Sequence, residues 1–250
     1  MVTELTLLFL GAVVPIAVIV AWTWWRDRLP EPPRVVLATF LLGGLATVPI
    51  LVAEWGMMAM LGLNGMPTTL VQAVLMSFLV AALVEEAFKL VVLTRYSATH
   101  SAFDEPYDGI VYGVAASLGF ACVENVMYVL GANQAGFAAG AVVATARTLT
   151  AVPLHMCCGA VMGVCIGIAK FKGGDARRAW GIGGFLAAIA LHGTYDTFAF
   201  AGPVAAQEDN PGLAIAALGG VILTTIAGFA LSVGGAAWLR SAQRRVGAQA

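Results

Sequence analysis

Charged residues are scarce in this sequence. Lys, Arg, Asp and Glu together make up 11% of its 250 residues, whereas soluble globular proteins carry about 25%. Hydrophobic residues make up 60%. This balance excludes a water-soluble globular protein and predicts an integral membrane protein that crosses the bilayer several times.

Basic clusters and paired-cysteine motifs are also missing. The formal net charge is −1, and no run of Lys or Arg alternates with aromatic residues, so a nucleic-acid partner is not expected. The four cysteines lie in apolar runs, and none has the CxxC spacing of metal and redox sites. They are interpreted as small buried apolar residues rather than metal ligands or disulfide partners.

Long apolar runs fill most of the sequence. A helix needs about 20 apolar residues to cross a bilayer, and the runs of that length predict an all-α, polytopic transmembrane helical bundle of seven spans. With no linker between the runs, we expect a single membrane domain over residues 1–250. The fifth run is too long for one perpendicular helix and contains Pro153, which predicts a kinked span or two shorter helices. The predicted spans are 5–25, 35–55, 68–94, 108–130, 137–169, 179–201 and 212–238.

The positions of Lys and Arg predict the orientation in the lipid bilayer. Apart from Lys89 and Arg147, which lie inside spans, every Lys and Arg falls on one side of a seven-span arrangement. The connections on the other side, residues 62–67, 131–136 and 202–211, contain none. By the positive-inside rule, the N-terminus is expected outside and the C-terminus in the cytoplasm.

Several polar side chains interrupt the apolar spans, although an ionised group at the bilayer centre costs roughly 3 kcal/mol. Such groups face the interior of a bundle and pair with one another, so we expect one internal cluster. The members are Glu85, Glu86, Lys89, Glu124, Asn125, Arg147, His155, His192 and Asp196.

Helical spacing assigns some of these groups to common faces. Lys89 lies four residues after Glu85 and three after Glu86, so its amine can neutralise either carboxylate. His192 and Asp196 are also four residues apart, so Asp196 can either share an ion with His192 or orient its imidazole. A structural ion pair would need only one acid, and the adjacent second glutamate therefore indicates a function.

Two histidines and two glutamates supply the groups of a hydrolytic metal site. Two His and one Glu, with water in the fourth position, form a known catalytic zinc arrangement. Adjacent helical residues point about 100° apart, so one glutamate is expected to bind the ion and the other to take a proton from water. We predict Glu86, His155 and His192 as ligands of a divalent metal, with zinc expected, and Glu85 as the base. Asn125 or Arg147 is expected to stabilise the oxyanion.

Five motifs in the sequence resemble those of the PrsW family of bacterial intramembrane proteases. This family is distantly similar to the CAAX prenyl endopeptidase and bacteriocin-immunity membrane proteases. The match covers about residues 79–200, the predicted catalytic core, and the segment from Phe103 to Tyr128 makes it specific. The motifs are Glu85-Glu86-x-x-Lys89, Phe103-Asp104-Glu105-Pro106-x-Asp108-Gly109-x-x-Tyr112-Gly113, Gly119-Phe120-x-x-x-Glu124-Asn125-x-x-Tyr128, Pro153-x-His155 and His192-Gly193-x-x-Asp196.

The resemblance implies an endopeptidase of the bacterial cell membrane that cuts a membrane-embedded protein, the family's best-known substrate being a transmembrane anti-sigma factor. It makes Glu85, Glu86, His155 and His192 the candidate catalytic set. Related enzymes are described both as metalloproteases and as metal-independent glutamate proteases, so both mechanisms stay open. The supporting residues are then Lys89, Glu124, Asn125, Arg147 and Asp196.

Two alternatives belong to other functional classes. Acids and histidines inside spans also build the proton relays of transporters. A transporter of that kind would favour two repeated halves, and none is visible in the sequence. A scaffold that binds a partner helix without catalysis would not need the full set of acids and histidines.

Overall fold

The computed structural model describes the backbone of residues 2–247 and the side chains of residues 2–241. Within those residues the chain is helical and contains no strand. Arg244 and Arg245, which contribute to the charge pattern on the cytoplasmic side, lie outside the residues whose side chains are described.

The α-helices form seven rods, some of them divided. A π-helical segment, Met76–Ala82, joins α4 directly to α5. The α-helices are α1 (Val2–Trp25), α2 (Pro33–Leu45), α3 (Thr47–Leu61), α4 (Leu70–Leu75), α5 (Leu83–Arg95), α6 (Asp108–Ala132), α7 (Phe137–Leu149), α8 (Ala151–Lys170), α9 (Gly174–Gln207) and α10 (Pro211–Gly247).

The rods coincide with the predicted spans. Among the described residues, five of them are long and apolar enough to cross a membrane. The remaining two, residues 70–95 and 174–207, carry the acidic pair and His192. The prediction of an all-α, multi-pass membrane bundle is confirmed.

Proline accounts for both divisions between α-helices. The span predicted at 35–55 is divided at Ala46, which was not expected. The division is there because Pro49 has no N–H to donate to the carbonyl of Leu45. The run at 137–169 consists of two helices that meet at Thr150, where φ is −127° and ψ is −68°. Pro153 lies in the first turn of α8, where a missing N–H is tolerated, so the two-helix form of the prediction is the correct one.

Glycines bring α6 and α8 into backbone contact at the centre of the bundle. A Cβ atom at Gly109 would overlap the carbonyl oxygen of Gly163, and one at Gly113 would overlap that of Gly159. This is the small-xxx-small contact that lets membrane helices approach closely. Since α6 carries Glu124 and α8 carries His155, the contact fixes the distance between two polar elements of the cluster.

The π-helical segment precedes the acidic pair by one turn. Segments of this kind widen a helix locally and occur often at functional sites. The ring of Phe78, within the segment, lies against α9 at Gly193, where a Cβ would come within 2.6 Å of the ring. The segment therefore packs beside His192, the residue that precedes this glycine.

Candidate active site

The amine of Lys89 lies at the centre of the buried polar cluster. Its Nζ donates to Glu85 Oε2 at 3.0 Å and to Glu86 Oε1 at 2.8 Å. His155 Nδ1 lies 3.1 Å away. The side chain is 2% exposed, so these three groups take the place of water around the ammonium.

His192 lies between three carboxylates. Its Nδ1 is 2.8 Å from Glu86 Oε1, and its Nε2 is 3.3 Å from Asp196 Oδ2 and 3.8 Å from Glu85 Oε2. A neutral imidazole donates from only one nitrogen. Both nitrogens face carboxylates, so one side of this ring requires an additional proton or a cation.

His155 is oriented from both sides of its ring. An ammonium donates and cannot accept, so Nδ1 accepts from Lys89 and the opposite nitrogen, Nε2, donates to Glu124 Oε2 at 3.0 Å. The rings of His155 and His192 pack edge to face with centroids 5.0 Å apart. The ring of Phe120 packs against His155, and the Lys89 Nζ lies 4.4 Å from the centroid of the Phe120 ring. Phe120 therefore forms an apolar wall of the cluster.

The structure brings the four predicted catalytic residues together. One potential ligand atom from each of Glu85, Glu86, His155 and His192 lies within 4.8 Å of the others, and all four residues are buried. They come from α5, α8 and α9. The role of each residue stays a prediction.

Arg147 and Asn125 form a brace beside the cluster. The guanidinium of Arg147 donates to Glu124 Oε2 at 2.6 Å and to Asn125 Oδ1 at 2.7 Å. The amide of Asn125, which is fully buried, donates to the carbonyl of Ala12 on α1 at 2.9 Å. The brace ties α1, α6 and α7 together and holds the carboxylate that accepts from His155.

Glu54 lies near the cluster, and it was not identified as a candidate site residue from the sequence. This half-buried residue of α3 interacts electrostatically with Glu85, Glu124 and Lys89. It lies outside the motif-bearing segment 79–200. Glu54 is also an acid within an apolar span, which is the signal that identifies the acidic pair, so the same reasoning could have found it.

The cluster contains more carboxylates than Lys and Arg side chains. Glu86 Oε2 is buried and has no hydrogen-bond partner among the described residues. Imidazole and carboxylate groups are suitable ligands for zinc, so the donor set fits a divalent ion. With neutral imidazoles, the ion-paired groups have a formal charge of −2, from the carboxylates of Glu85, Glu86, Glu124 and Asp196 and the cations of Lys89 and Arg147.

Comparison with known proteins identifies relatives of the chain. A family model described as "PrsW family intramembrane metalloprotease" matches residues 31–231. Protease PrsW of Geobacillus kaustophilus is 36% identical over 187 residues, which cover 74% of this chain and 76% of that protein. The corresponding protein of Bacillus subtilis is 32% identical and covers 74% and 79%. That of Shouchella clausii is 34% identical and covers 76% and 81%. No solved structure matches the chain.

Proposed function

The chain belongs to the PrsW family of intramembrane proteases, and on that premise we propose that its buried Glu/His cluster hydrolyses a peptide bond of a membrane-embedded protein. The observation that carries the proposal is the convergence of four potential ligand atoms within 4.8 Å. The resemblance implies a substrate of the anti-sigma-factor class in the bacterial cell membrane. Relatives named as proteases favour this function over a proton-coupled transporter or a scaffold.

We assign the role of general base to Glu85. Its side chain retains 6% exposure, whereas Glu86 is fully buried and accepts from both Lys89 and His192. A base must reach the proton of an incoming water, and Glu85 is the less enclosed of the two acids. Glu86 then holds its neighbours, or an ion, in place.

A divalent metal would be held by Glu86, His155 and His192. The buried donor set, the unpaired Glu86 Oε2 and the surplus of carboxylates over Lys and Arg side chains support this assignment. When bound, such an ion supplies polarisation of the scissile carbonyl and of water. Glu124 and Asp196 would orient the two imidazoles, as carboxylates do for metal-bound histidines.

Metal-independent catalysis is the second candidate, and the position of Lys89 favours it. The ammonium contacts Glu85, Glu86 and His155 at 2.8–3.1 Å, so it serves as a counter-ion among the same donors. In this mechanism Glu85 takes the proton from water. Lys89 and His192 then provide the positive charge that stabilises the oxyanion.

Cleavage of a single-span reporter by purified protein in liposomes tests the function. We expect Glu85→Gln, Glu86→Gln and His192→Ala to lose cleavage by about 100-fold or more, the scale of removing a general base. Glu208→Gln, at an exposed position after α9, is the matched control and should cleave normally. Full cleavage by the three cluster variants would contradict the proposal.

Metal analysis separates the two mechanisms. A metalloprotease should contain about one zinc ion per chain, lose cleavage on chelation and regain it with zinc but not with Ca²⁺ or Mg²⁺. A metal-independent enzyme should cleave with zinc removed and Ca²⁺ or Mg²⁺ supplied, and elemental analysis should detect no zinc or other transition metal.

A further inference from the structure

A second group of buried carboxylates lies far from the active site. Asp27 and Glu31 belong to the connection between α1 and α2, and Asp108 is the first residue of α6. One oxygen from each carboxylate lies within 4.8 Å of the others, and the residues are 6%, 3% and 0% exposed. Glu124 lies 16 residues further along α6, about 24 Å at 1.5 Å per residue, so the two clusters cannot share an ion.

Each of these carboxylates already accepts at least one hydrogen bond, and that of Asp27 comes from the backbone N–H of Leu29 to Oδ1 at 3.4 Å. Asp108 Oδ2 accepts the backbone N–H groups of Asp104 and Glu105, both at 2.7 Å. The hydroxyl of Tyr112 donates to Glu31 Oε2. These bonds hold the carboxyl groups in place.

Two oxygens in this second cluster have no hydrogen-bond donor, although the carboxyl groups of Glu31 and Asp108 interact with each other. Asp27 Oδ2 and Asp108 Oδ1 are buried and accept no hydrogen bond from any described residue. Burying a carboxylate oxygen without a donor or a cation is unfavourable. Burial accordingly raises the pKa of Asp27 and the pKa of Glu31.

Two neighbouring cations interact electrostatically with these carboxylates, Arg240 with Asp27 and Lys170 with Glu31 and Asp108, but their hydrogen bonds go to other groups. Arg240 donates to the hydroxyl of Tyr107 at 2.7 Å and to the carbonyl of Arg26 at 2.9 Å. Lys170 donates to the carbonyl of Phe103. Within the part of the chain whose side chains are described, no Lys or Arg forms an ion pair with any of the three carboxylates.

We propose that Asp27, Glu31 and Asp108 bind a hard divalent cation, Ca²⁺ or Mg²⁺. Hard cations select carboxylate oxygens, and the cluster contains no histidine or cysteine that would favour zinc. The ion takes the two unpaired oxygens as ligands and joins the α1–α2 connection to the start of α6. This site is structural, and it is independent of the proposed catalytic cluster.

Thermal unfolding of the full chain in nanodiscs, after chelation, tests the site. Added CaCl₂ or MgCl₂ should raise the Tm of the wild type, because a ligand that binds only the folded state stabilises it. Asp27→Asn and Asp108→Asn should weaken the apparent affinity by roughly ten-fold or more, since affinity depends on the number of charged ligands. Asp175→Asn, at an exposed position, should respond as the wild type does.

Two further measurements separate ion binding from a general structural effect. Without added ion, Asp27→Asn should be at least as stable as the wild type, because one of three crowded carboxylates is neutralised. His192→Ala should keep the full response to Ca²⁺, which distinguishes this site from the catalytic cluster. Tb³⁺ should luminesce on excitation of Trp24, whose indole donates to the Glu31 carbonyl at 2.6 Å.

Two results would contradict the proposed cation site. One is a wild type whose Tm is unchanged by both ions and which gives no Tb³⁺ signal; the carboxyl groups would then be held by shared protons. The other is an equal response to ions in the wild type, Asp27→Asn and Asp108→Asn.

Discussion

At the scale of single residues, Lys89 is central to the charge balance of the candidate active site. It is the only Lys or Arg in contact with Glu85 and Glu86 among the described residues, and it also sets the tautomer of His155. The amine is thus at once a counter-ion, a hydrogen-bond donor and a competitor for the position of a metal. These roles can be separated by removing it.

Lys89→Met should destabilise the chelated protein and abolish cleavage. Removing one partner of a buried ion pair costs about 3–5 kcal/mol, and we expect a loss of unfolding free energy of that size. Lys172→Met, at an exposed position, is the control. If zinc restores the stability of the variant, the ion replaces the amine; unchanged stability without zinc would show that Lys89 is not the counter-ion.

Asn125→Ala should weaken the brace without altering the four candidate catalytic residues. It leaves the carbonyl of Ala12 and the Nε of Arg147 without their partner, at a cost of about 1–3 kcal/mol. We expect a lower Tm and reduced cleavage, because Glu124 is then held less firmly against His155. The exposed Gln134→Ala should change neither quantity, and a normal Tm for Asn125→Ala would refute the bracing role.

At the scale of helices, the arrangement of the bundle depends on pairs of helices that pack closely at glycine. The α6–α8 contact depends on glycine at each crossing point, and the packing of α9 on the π-helical segment depends on Gly193. Neither contact appears in the hydropathy of the sequence. Both can be tested with glycine-to-alanine changes matched on the same helix.

Gly113→Ala should lower stability and activity together, because its Cβ would overlap the Gly159 carbonyl. Overpacking of this kind typically costs about 1–3 kcal/mol. Gly131→Ala, on the same helix but with nothing within 4 Å, should be neutral or stabilising by up to about 1 kcal/mol. Differential scanning fluorimetry and the reporter assay measure both effects, and equal Tm values for the two variants would contradict the close contact.

Gly193→Ala should impair cleavage more than stability. The new methyl group would displace the Phe78 ring beside His192, and small displacements at a catalytic group reduce rates strongly. Gly183→Ala, on the same helix with open space around it, is the control. Combination with Phe78→Leu should recover part of the activity; the absence of any coupling in this double-mutant cycle would argue against the contact.

The orientation in the membrane is a prediction at the scale of the whole molecule. In a cysteine-free background, Gln134→Cys should react with an impermeant maleimide added to intact cells, because its connection is predicted to face outside. Ser101→Cys, on the predicted cytoplasmic side, should react only after permeabilisation. The reverse pattern would invert the topology.

Much of the fold and of the candidate site could be predicted because hydrophobicity and helical periodicity are local properties. The seven helical rods and the division near Pro153 follow from them, and the convergence of Glu85, Glu86, His155 and His192 follows from the cost of isolated polar groups in a bilayer. The π-helical segment and the hydrogen bonds of His155 could not be predicted, since they depend on which residues of other helices come close. Glu54 was visible in the sequence but lay outside the matched motifs.

The backbone contact between α6 and α8 would also limit how a substrate could reach the candidate active site. Helices packed at glycine leave no gap for a polypeptide, so we do not expect a substrate to approach between these two. Glu124 and Asp196, 14% and 16% exposed, are the most open carboxylates of the cluster and mark the side that is accessible. An unwound substrate segment would therefore enter laterally past these two residues, while α6 and α8 serve as the fixed wall behind it.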